Sequence, residues 1–317
     1  MQRPYRARLV AAGKVVWIVD ASAVSPTPAG VAGESVWLNV VQEEASLSNK
    51  DFVAKITAAN KAAWDSSAPL HGEGEAWERL LAKASNPDFS ILDPHLTAIL
   101  KELDLSGKSA VQVGCNNARE LLSLASLGIR PEMGIDQSSA FLAQARKLAD
   151  AAGISPRLVA ADIYDLPPDL GCFDLALITI GVLSWMPDLS EFFRIVSGLL
   201  VSGGKLVIYE THPFLEMFDP TSDAPHEPEF SYFQRQPHEV TDKITYDGLK
   251  HGKGESGYWF IHPLGDIVTA ITRGGLQLMR LKEFPHTIRE PEYDIYEGRT
   301  AQIPMSFCLI AQKGIAP

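Results

Sequence analysis

Residues 109–120, Ser-Ala-Val-Gln-Val-Gly-Cys-Asn-Asn-Ala-Arg-Glu, constrain the fold more than any other stretch of this chain. An apolar run breaks at Gly114 and passes directly into a helical pattern, and a second apolar run ends in Gly134-Ile-Asp136. A strand, a tight glycine turn, a helix and an acidic strand end form the unit with which open α/β sheets hold a nucleoside. Gly114 has no Cβ to keep a ligand from the backbone. Asp136 ends its strand where a carboxylate accepts both ribose hydroxyls.

The alternation continues downstream. Strands are expected at Ser109–Val113, Glu132–Ile135, Arg157–Ala160, Phe173–Ile180 and Lys205–Tyr209, with helical stripes between them. Phe141, Leu142, Ala145, Leu148 and Ala149 line one helix face, and Gly153 stops that helix. Asp188 is placed to cap a helix carrying Phe192, Ile195 and Leu199, which Gly203-Gly204 would end. Asn117 followed by Glu120 has the form of a capping box, with Gly128 closing the helix. Three helices precede the sheet: one from Asn49 to about Ser66, then Glu75–Ala84 and His95–Leu103. Such alternation predicts an α/β fold, a doubly wound and mostly parallel sheet with helices on both faces.

After Pro213 the pattern changes. Phe230–Phe233, Glu239–Tyr246 and Gly257–Ile261 read as short antiparallel strands, followed by a helix at Leu264–Thr272 and closing strands at Leu276–Glu283 and Met305–Gln312. Residues 214–262 are thus an insertion after the fifth strand, long enough to cover a substrate. Residues 1–48 stand apart from the domain at 49–317. They are expected to form a hairpin from Val15–Val19 and Val36–Val40, or a poorly ordered extension. Lys14 interrupts the apolar run too early for a signal peptide.

Apolar residues make up 46% of the chain and charged residues 21%, the balance of a soluble globular protein. No apolar run approaches the ~18 residues of a membrane span, so no membrane partner is expected. A net charge of −11 argues against a phosphate backbone, and the expected partner is a small molecule rather than a nucleic acid. Cys115, Cys172 and Cys308 offer neither a disulfide framework nor a metal-ligand spacing, so a cytoplasmic location and no metal are expected. Cys115 reads as a small packed side chain, with no basic neighbour in sequence to make it a thiolate. The oligomeric state is open, a homodimer included.

Ligands of open parallel sheets sit at the carboxyl ends of the strands. That rule gathers Gly114, Cys115, Asn116, Asp136, Gln137, Asp162, Ile163, Ile180 and Gly181 into one candidate site, with Glu210 and His212 beyond the fifth strand. Asp162 suits an exocyclic amine and Ile163 an apolar wall against a purine. Each aspartate alone also suits a helix or turn cap; two at successive strand ends after a glycine turn favour a nucleoside. A dinucleotide fingerprint needs two more glycines after Gly114 to receive a pyrophosphate. They are missing, which disfavours a nicotinamide-dependent oxidoreductase and suits a phosphate-free nucleoside.

Val111-Gln-Val-Gly-Cys115, Gly134-Ile-Asp136, Ala160-Ala-Asp-Ile-Tyr-Asp-Leu-Pro167, Phe173-Asp-Leu-Ala-Leu177 and Gly203-Gly-Lys-Leu-Val-Ile208 resemble the motifs of class I S-adenosylmethionine-dependent methyltransferases. Asn60–Asp65, Glu210–Phe214 and Trp259–Gly265 are similar to a bacterial small-molecule subgroup. The resemblance implies a Rossmann-like, seven-stranded sheet with an antiparallel last strand, S-adenosylmethionine as cofactor, and a lid from the front helices and the insertion. Many members keep three glycines in the first motif; this chain keeps one.

Methyl transfer from a sulfonium is an in-line displacement whose leaving group needs no acid. Alignment of nucleophile and methyl supplies most of the acceleration. Where the acceptor has to lose a proton, His212 is the candidate base, with Glu210 orienting it and His262 reaching in from the insertion. Trp64 and Trp185 are candidates to line the sulfonium or the acceptor. A non-catalytic module that binds S-adenosylmethionine or S-adenosylhomocysteine is the alternative from another class.

Overall fold

The computed structural model describes residues 7–11, 14–18, 48–246, 249, 251–288 and 290–314. The chain divides into two compact units, Met1–Ser48 and Asn49–Pro317. In the first, β1 (Ala7–Ala11) and β2 (Lys14–Ile18) pair antiparallel, Ala7 opposite Ile18. The strand expected at Val36–Val40 lies outside the described residues.

The second unit is built on seven strands: β3 (Ser109–Val113), β4 (Arg130–Asp136), β5 (Arg157–Ala160), β6 (Phe173–Thr179), β7 (Leu200–Thr211), β10 (Leu276–Phe284) and β11 (Ser306–Lys313). Their order across the sheet is β10-β11-β7-β6-β3-β4-β5. Strands β5, β4, β3, β6 and β7 run parallel, while β11 runs antiparallel to both of its neighbours. The chain winds outward from β3 to β5, then returns to β6 on the other side of β3. Strand order therefore reverses between β3 and β6, the place where such sheets open a ligand crevice.

Among the described residues, seven helices flank this sheet: α1 (Asn49–His71), α2 (Gly74–Ala84), α3 (Pro94–Glu102), α4 (Arg119–Ser123), α5 (Ser139–Ala152), α6 (Leu189–Gly198) and α7 (Leu264–Arg273). Phe192, Phe193, Val196 and Ile271 pack with Ala176, Ile178 and Phe307 in one apolar layer. Leu96, Leu100, Leu121 and Leu142 pack with Leu175, Val207 and Tyr209 in another. The insertion contributes the antiparallel pair β8 (His238–Asp242) and β9 (Lys253–Trp259).

Local departures from the expectation have local causes. Helix α1 continues past Ser66, because the hydroxyls of Ser66 and Ser67 bond back to the Ala63 carbonyl at 2.8 and 2.9 Å and leave the helical ladder intact. The capping box does not form: α4 begins after Ala118 in the left-handed region, with no side-chain cap. Gly203-Gly204 lies inside β7, where a Cβ on Gly204 would come within 3.0 Å of the Phe173 carbonyl oxygen. That glycine admits a neighbouring strand instead of ending a helix. Residues 230–233 form turns. Asp188 and Gly153 cap as expected, Asp188 accepting from the Glu191 N–H at 3.0 Å.

Candidate active site

A crevice opens at the carboxyl ends of β3–β6, the place where open sheets of this kind hold ligands. Gly114, Asn116, Asp136, Gln137, Asp162, Ile163, Ile180, Gly181 and Trp64 all line it. Cys115 does not. Its thiol is fully buried and lies where a Cβ on Gly134 would meet it at 2.8 Å, and burial pushes its pKa up. It turns into the packing between β4 and α4, the small side chain its neighbours leave room for.

The turn after β3 solves the missing-glycine problem by other means. Gly114, Asn116 and Ala118 hold φ of 64°, 51° and 60°. Asparagine enters this left-handed region more readily than most residues, so Asn116 does what a second glycine would. A Cβ on Gly114 would sit 2.6 Å from a Val182 methyl, so glycine is required there for contact as well as conformation.

Asp136 is held rigidly. Its two oxygens accept the N–H groups of Asn116 at 2.7 Å and Ser138 at 2.8 Å. Burial nonetheless raises its pKa to about 6, the two N–H bonds pulling the other way. A desolvated carboxylate with lone pairs to spare is the partner a vicinal diol satisfies. Asp162 accepts from the Tyr164 N–H at 3.0 Å, capping a short 3₁₀ turn, and still lines the crevice. Cap and ligand roles therefore coexist in both aspartates.

Trp64, Trp185, Phe141, His71 and Tyr246 form one aromatic cluster at the crevice: Trp64 meets Trp185 edge-on at 5.4 Å, Phe141 at 5.8 Å and Tyr246 at 6.2 Å. The Arg119 guanidinium lies 5.5 Å from the Tyr246 ring centre. Asn60 joins the cluster to the insertion. Its amide donates to the Trp185 and Tyr258 carbonyls at 3.2 and 3.0 Å, and its oxygen accepts the Tyr258 N–H at 2.6 Å. Asn60, Phe141 and Tyr246 were not named as site residues: Asn60 entered only with the front-helix resemblance, Phe141 as part of a buried helical stripe and Tyr246 as the end of an expected strand.

The structure does not bring Glu210, His212 or His262 to the walls of this crevice. His212 is 4% exposed; its Nε2 meets Glu283 at 3.0 Å and its Nδ1 accepts the Phe214 N–H at 3.0 Å. His262 bonds the Met186 carbonyl at 2.9 Å, and burial lowers its pKa to about 4. Glu210 reaches under the segment after β6, accepting the N–H groups of Gly181 and, at 3.1 Å, Leu183. That segment carries strain: Ile180, β-branched, holds φ 26°, and Gly181 follows at 86°. Such backbone persists only where neighbours over-determine it. Glu216, which accepts from the Ser184 hydroxyl, holds the same segment a second time. Burial raises Glu210 to about 7, Glu216 to about 8 and nearby Glu290 to about 7, each carboxylate reinforcing the next.

Residues 111–208 match the family model described as a methyltransferase domain. The tRNA U34 carboxymethyltransferase of Marinobacter nauticus is 31% identical over 116 residues, 36% of this chain and 33% of that protein. The protein of the same name from Colwellia psychrerythraea is 31% identical over 106 residues, 33% of this chain and 32% of its own. The matched part of this chain thus spans about a third of the length of these curated relatives. A solved structure from Listeria monocytogenes, of a protein assigned as an S-adenosylmethionine-dependent methyltransferase, superimposes with a TM-score of 0.51. It is 20% identical and covers 68% of this chain and 96% of its own, a likeness of fold.

The relatives' names correct one expectation. A small-molecule acceptor and the exclusion of nucleic acid, drawn from the charge of −11, do not stand beside three relatives named for a tRNA nucleotide. Net charge sums the whole surface and says little about one site. Among the described residues no helix is long and apolar enough to cross a membrane. The strand order with its antiparallel β11, the crevice between β3 and β6, and the match over 111–208 agree: residues 111–208 carry a methyltransferase domain on a Rossmann-like methyltransferase fold.

Proposed function

We propose that this chain transfers a methyl group from S-adenosylmethionine to a base of tRNA. The observation that carries the cofactor half is the pair Asp136 and Asp162 at successive strand ends of one crevice. Asp136 would take the ribose hydroxyls, and Asp162 with Ile163 the adenine. The cofactor supplies an activated methyl on a sulfonium. The chain's own part is to align the acceptor with it and to exclude water, the task of α1 and the β8–β9 hairpin that Asn60 ties together. Glu210 and Glu216 act as positioning residues: they fix the strained 180–185 segment and touch no reacting atom.

The acceptor half draws on the names of the relatives and on the aromatic cluster. A planar base stacks on rings such as Trp64, Trp185 and Tyr246, and stacking contributes about 1–3 kcal/mol per base without help from phosphate contacts. The test is incubation with methyl-tritiated S-adenosylmethionine and deproteinised tRNA, beside calorimetry of the cofactor alone. Label in nuclease-sensitive material is expected, lost in Asp136→Ala. Cofactor binding without label in tRNA would reject the acceptor; no cofactor binding would reject the reading altogether.

A further inference from the structure

Three ligating side chains converge at the start of α3, lined by residues other than those of the crevice. Asp93 caps that helix, its Oδ1 accepting the His95 N–H at 2.7 Å and lying 3.3 Å from the His95 Nδ1. His286, in the segment after β10, stacks on the His95 ring with centres 4.2 Å apart. One ligand atom each from Asp93, His95 and His286 lie within 4.8 Å of one another. Beneath them the hydroxyl of the buried Tyr209 is 3.0 Å from Asp93 Oδ1 and 3.0 Å from His286 Nε2.

We propose that Asp93, His95 and His286 bind a divalent transition-metal ion of the zinc class. Two imidazoles and one carboxylate suit zinc, nickel or copper, whereas magnesium and calcium take oxygen donors. Tetrahedral zinc with bonds of about 2.0–2.1 Å sets its ligand atoms about 3.3 Å apart. The 3.3 Å from Asp93 Oδ1 to His95 Nδ1 sets the two groups side by side, and the half-exposed His95 side chain has room to bring its Nδ1 toward Oδ2.

The Tyr209 hydroxyl fixes the ligand tautomer. It has one proton, given to Asp93, so it receives the Nε2–H of His286 and leaves the Nδ1 of that ring with a free lone pair. This arrangement, a metal-binding histidine held through its other nitrogen, is the usual support of such sites. The contacts recorded for the Asp93 carboxylate all fall on Oδ1, which leaves Oδ2 to the ion. The ion would pin the start of α3 to the segment after β10, parts of the chain far apart in sequence. Sequence spacing gives no sign of it for that reason.

The test is calorimetric titration of chelator-treated full-length protein with zinc chloride, in a Cys172→Ser background that removes the exposed thiol. One equivalent should bind. His95→Ala and His286→Ala should each weaken binding by at least about tenfold, and His226→Ala should leave it unchanged. His95 is exposed, so its removal keeps the fold. Cobalt should give the visible absorption of a four-coordinate ion, lost in His95→Ala. No binding, or zinc and cobalt signals unchanged in His95→Ala, would overturn the assignment.

Discussion

Replacing Glu210 with glutamine should reduce the fall in folding stability between pH 5 and 8.5 by about 2–3 kcal/mol. Glu210 is 3% exposed, and burial lifts its carboxyl from 4.5 to about 7 even though the N–H groups of Gly181 and Leu183 pull it down. The folded state holds this proton more tightly than the unfolded chain does. Its contribution to stability is complete below about pH 4.5 and is lost as pH rises through about 7. At about 1.36 kcal/mol per pKa unit, the loss between pH 5 and 8.5 is about 2–3 kcal/mol. Glutamine keeps the shape of the protonated acid. Its carbonyl accepts one of the two N–H groups while its amide faces the other, a cost of about 1–3 kcal/mol that is the same at every pH. Urea unfolding at the two pH values therefore separates a constant offset from a slope. Removing the Glu210 charge also eases ionisation of Glu216, whose pKa it helps to raise, and so widens the contrast. Wild-type and Glu210→Gln curves that fall in parallel would refute the reasoning.

Asp136 leads to an effect on binding. With its pKa at about 6 in the free protein, S-adenosylmethionine should bind about tenfold more weakly at pH 5 than at pH 7, as the acceptor of the ribose hydroxyls takes up a proton; calorimetry across that range checks it, and Asp136→Asn should bind weakly at both. Gly114→Ala forces a methyl to within 2.6 Å of Val182 in a left-handed backbone and should destabilise the fold by about 2–4 kcal/mol in urea titration. Asn60→Ala removes the Oδ1 that accepts the Tyr258 N–H at 2.6 Å, so amide exchange in β9 should accelerate while exchange in β3 stays slow. If tRNA is held mainly by stacking, the slope of log affinity against log salt should be shallower than about −3, measured by filter binding.

The central strands β3 and β6 were legible as short apolar runs, buried along nearly their whole length. Positions 200–204 were not. Gly203-Gly204 reads as a helix stop in sequence, yet the helix ends at Gly198 and the pair serves close approach to Phe173. A glycine reports that a Cβ is unwelcome, not which neighbour refuses it. Ser66 and Ser67 were misread for a similar reason: their hydroxyls satisfy a helical carbonyl that sequence reasoning assigned to a helix end. The hairpin β8–β9 was foreseen, but residues 230–233 form turns, with Phe230 packed on His238 and Trp259 and Phe233 exposed.

The crevice was read better than the groups behind it, and the physical reason is the range of the interaction. Residues directly after β3, β4, β5 and β6 line the crevice because strand ends point there, so chain position alone places Asn116, Asp136, Asp162 and Gly181. Glu210 lies near the end of β7 and His212 just after it, but β7 lies one strand further from the switch point than β6. From there a carboxylate of glutamate length meets the backbone of the 180–183 segment before it meets the ligand. The same geometry that withholds Glu210 from the chemistry gives it a reason to be acidic. Two N–H groups of a strained turn need one acceptor with two oxygens, and Gly181 and Leu183 bond one oxygen each. Aspartate would be shorter by one methylene, and glutamine would offer one oxygen where two are used. Asp136 obeys the same logic across the crevice, where its two oxygens hold Asn116 and Ser138. The turns after β3 and β6, on two sides of the crevice, are thus each fastened by a buried carboxylate, one open to the crevice and one closed to it.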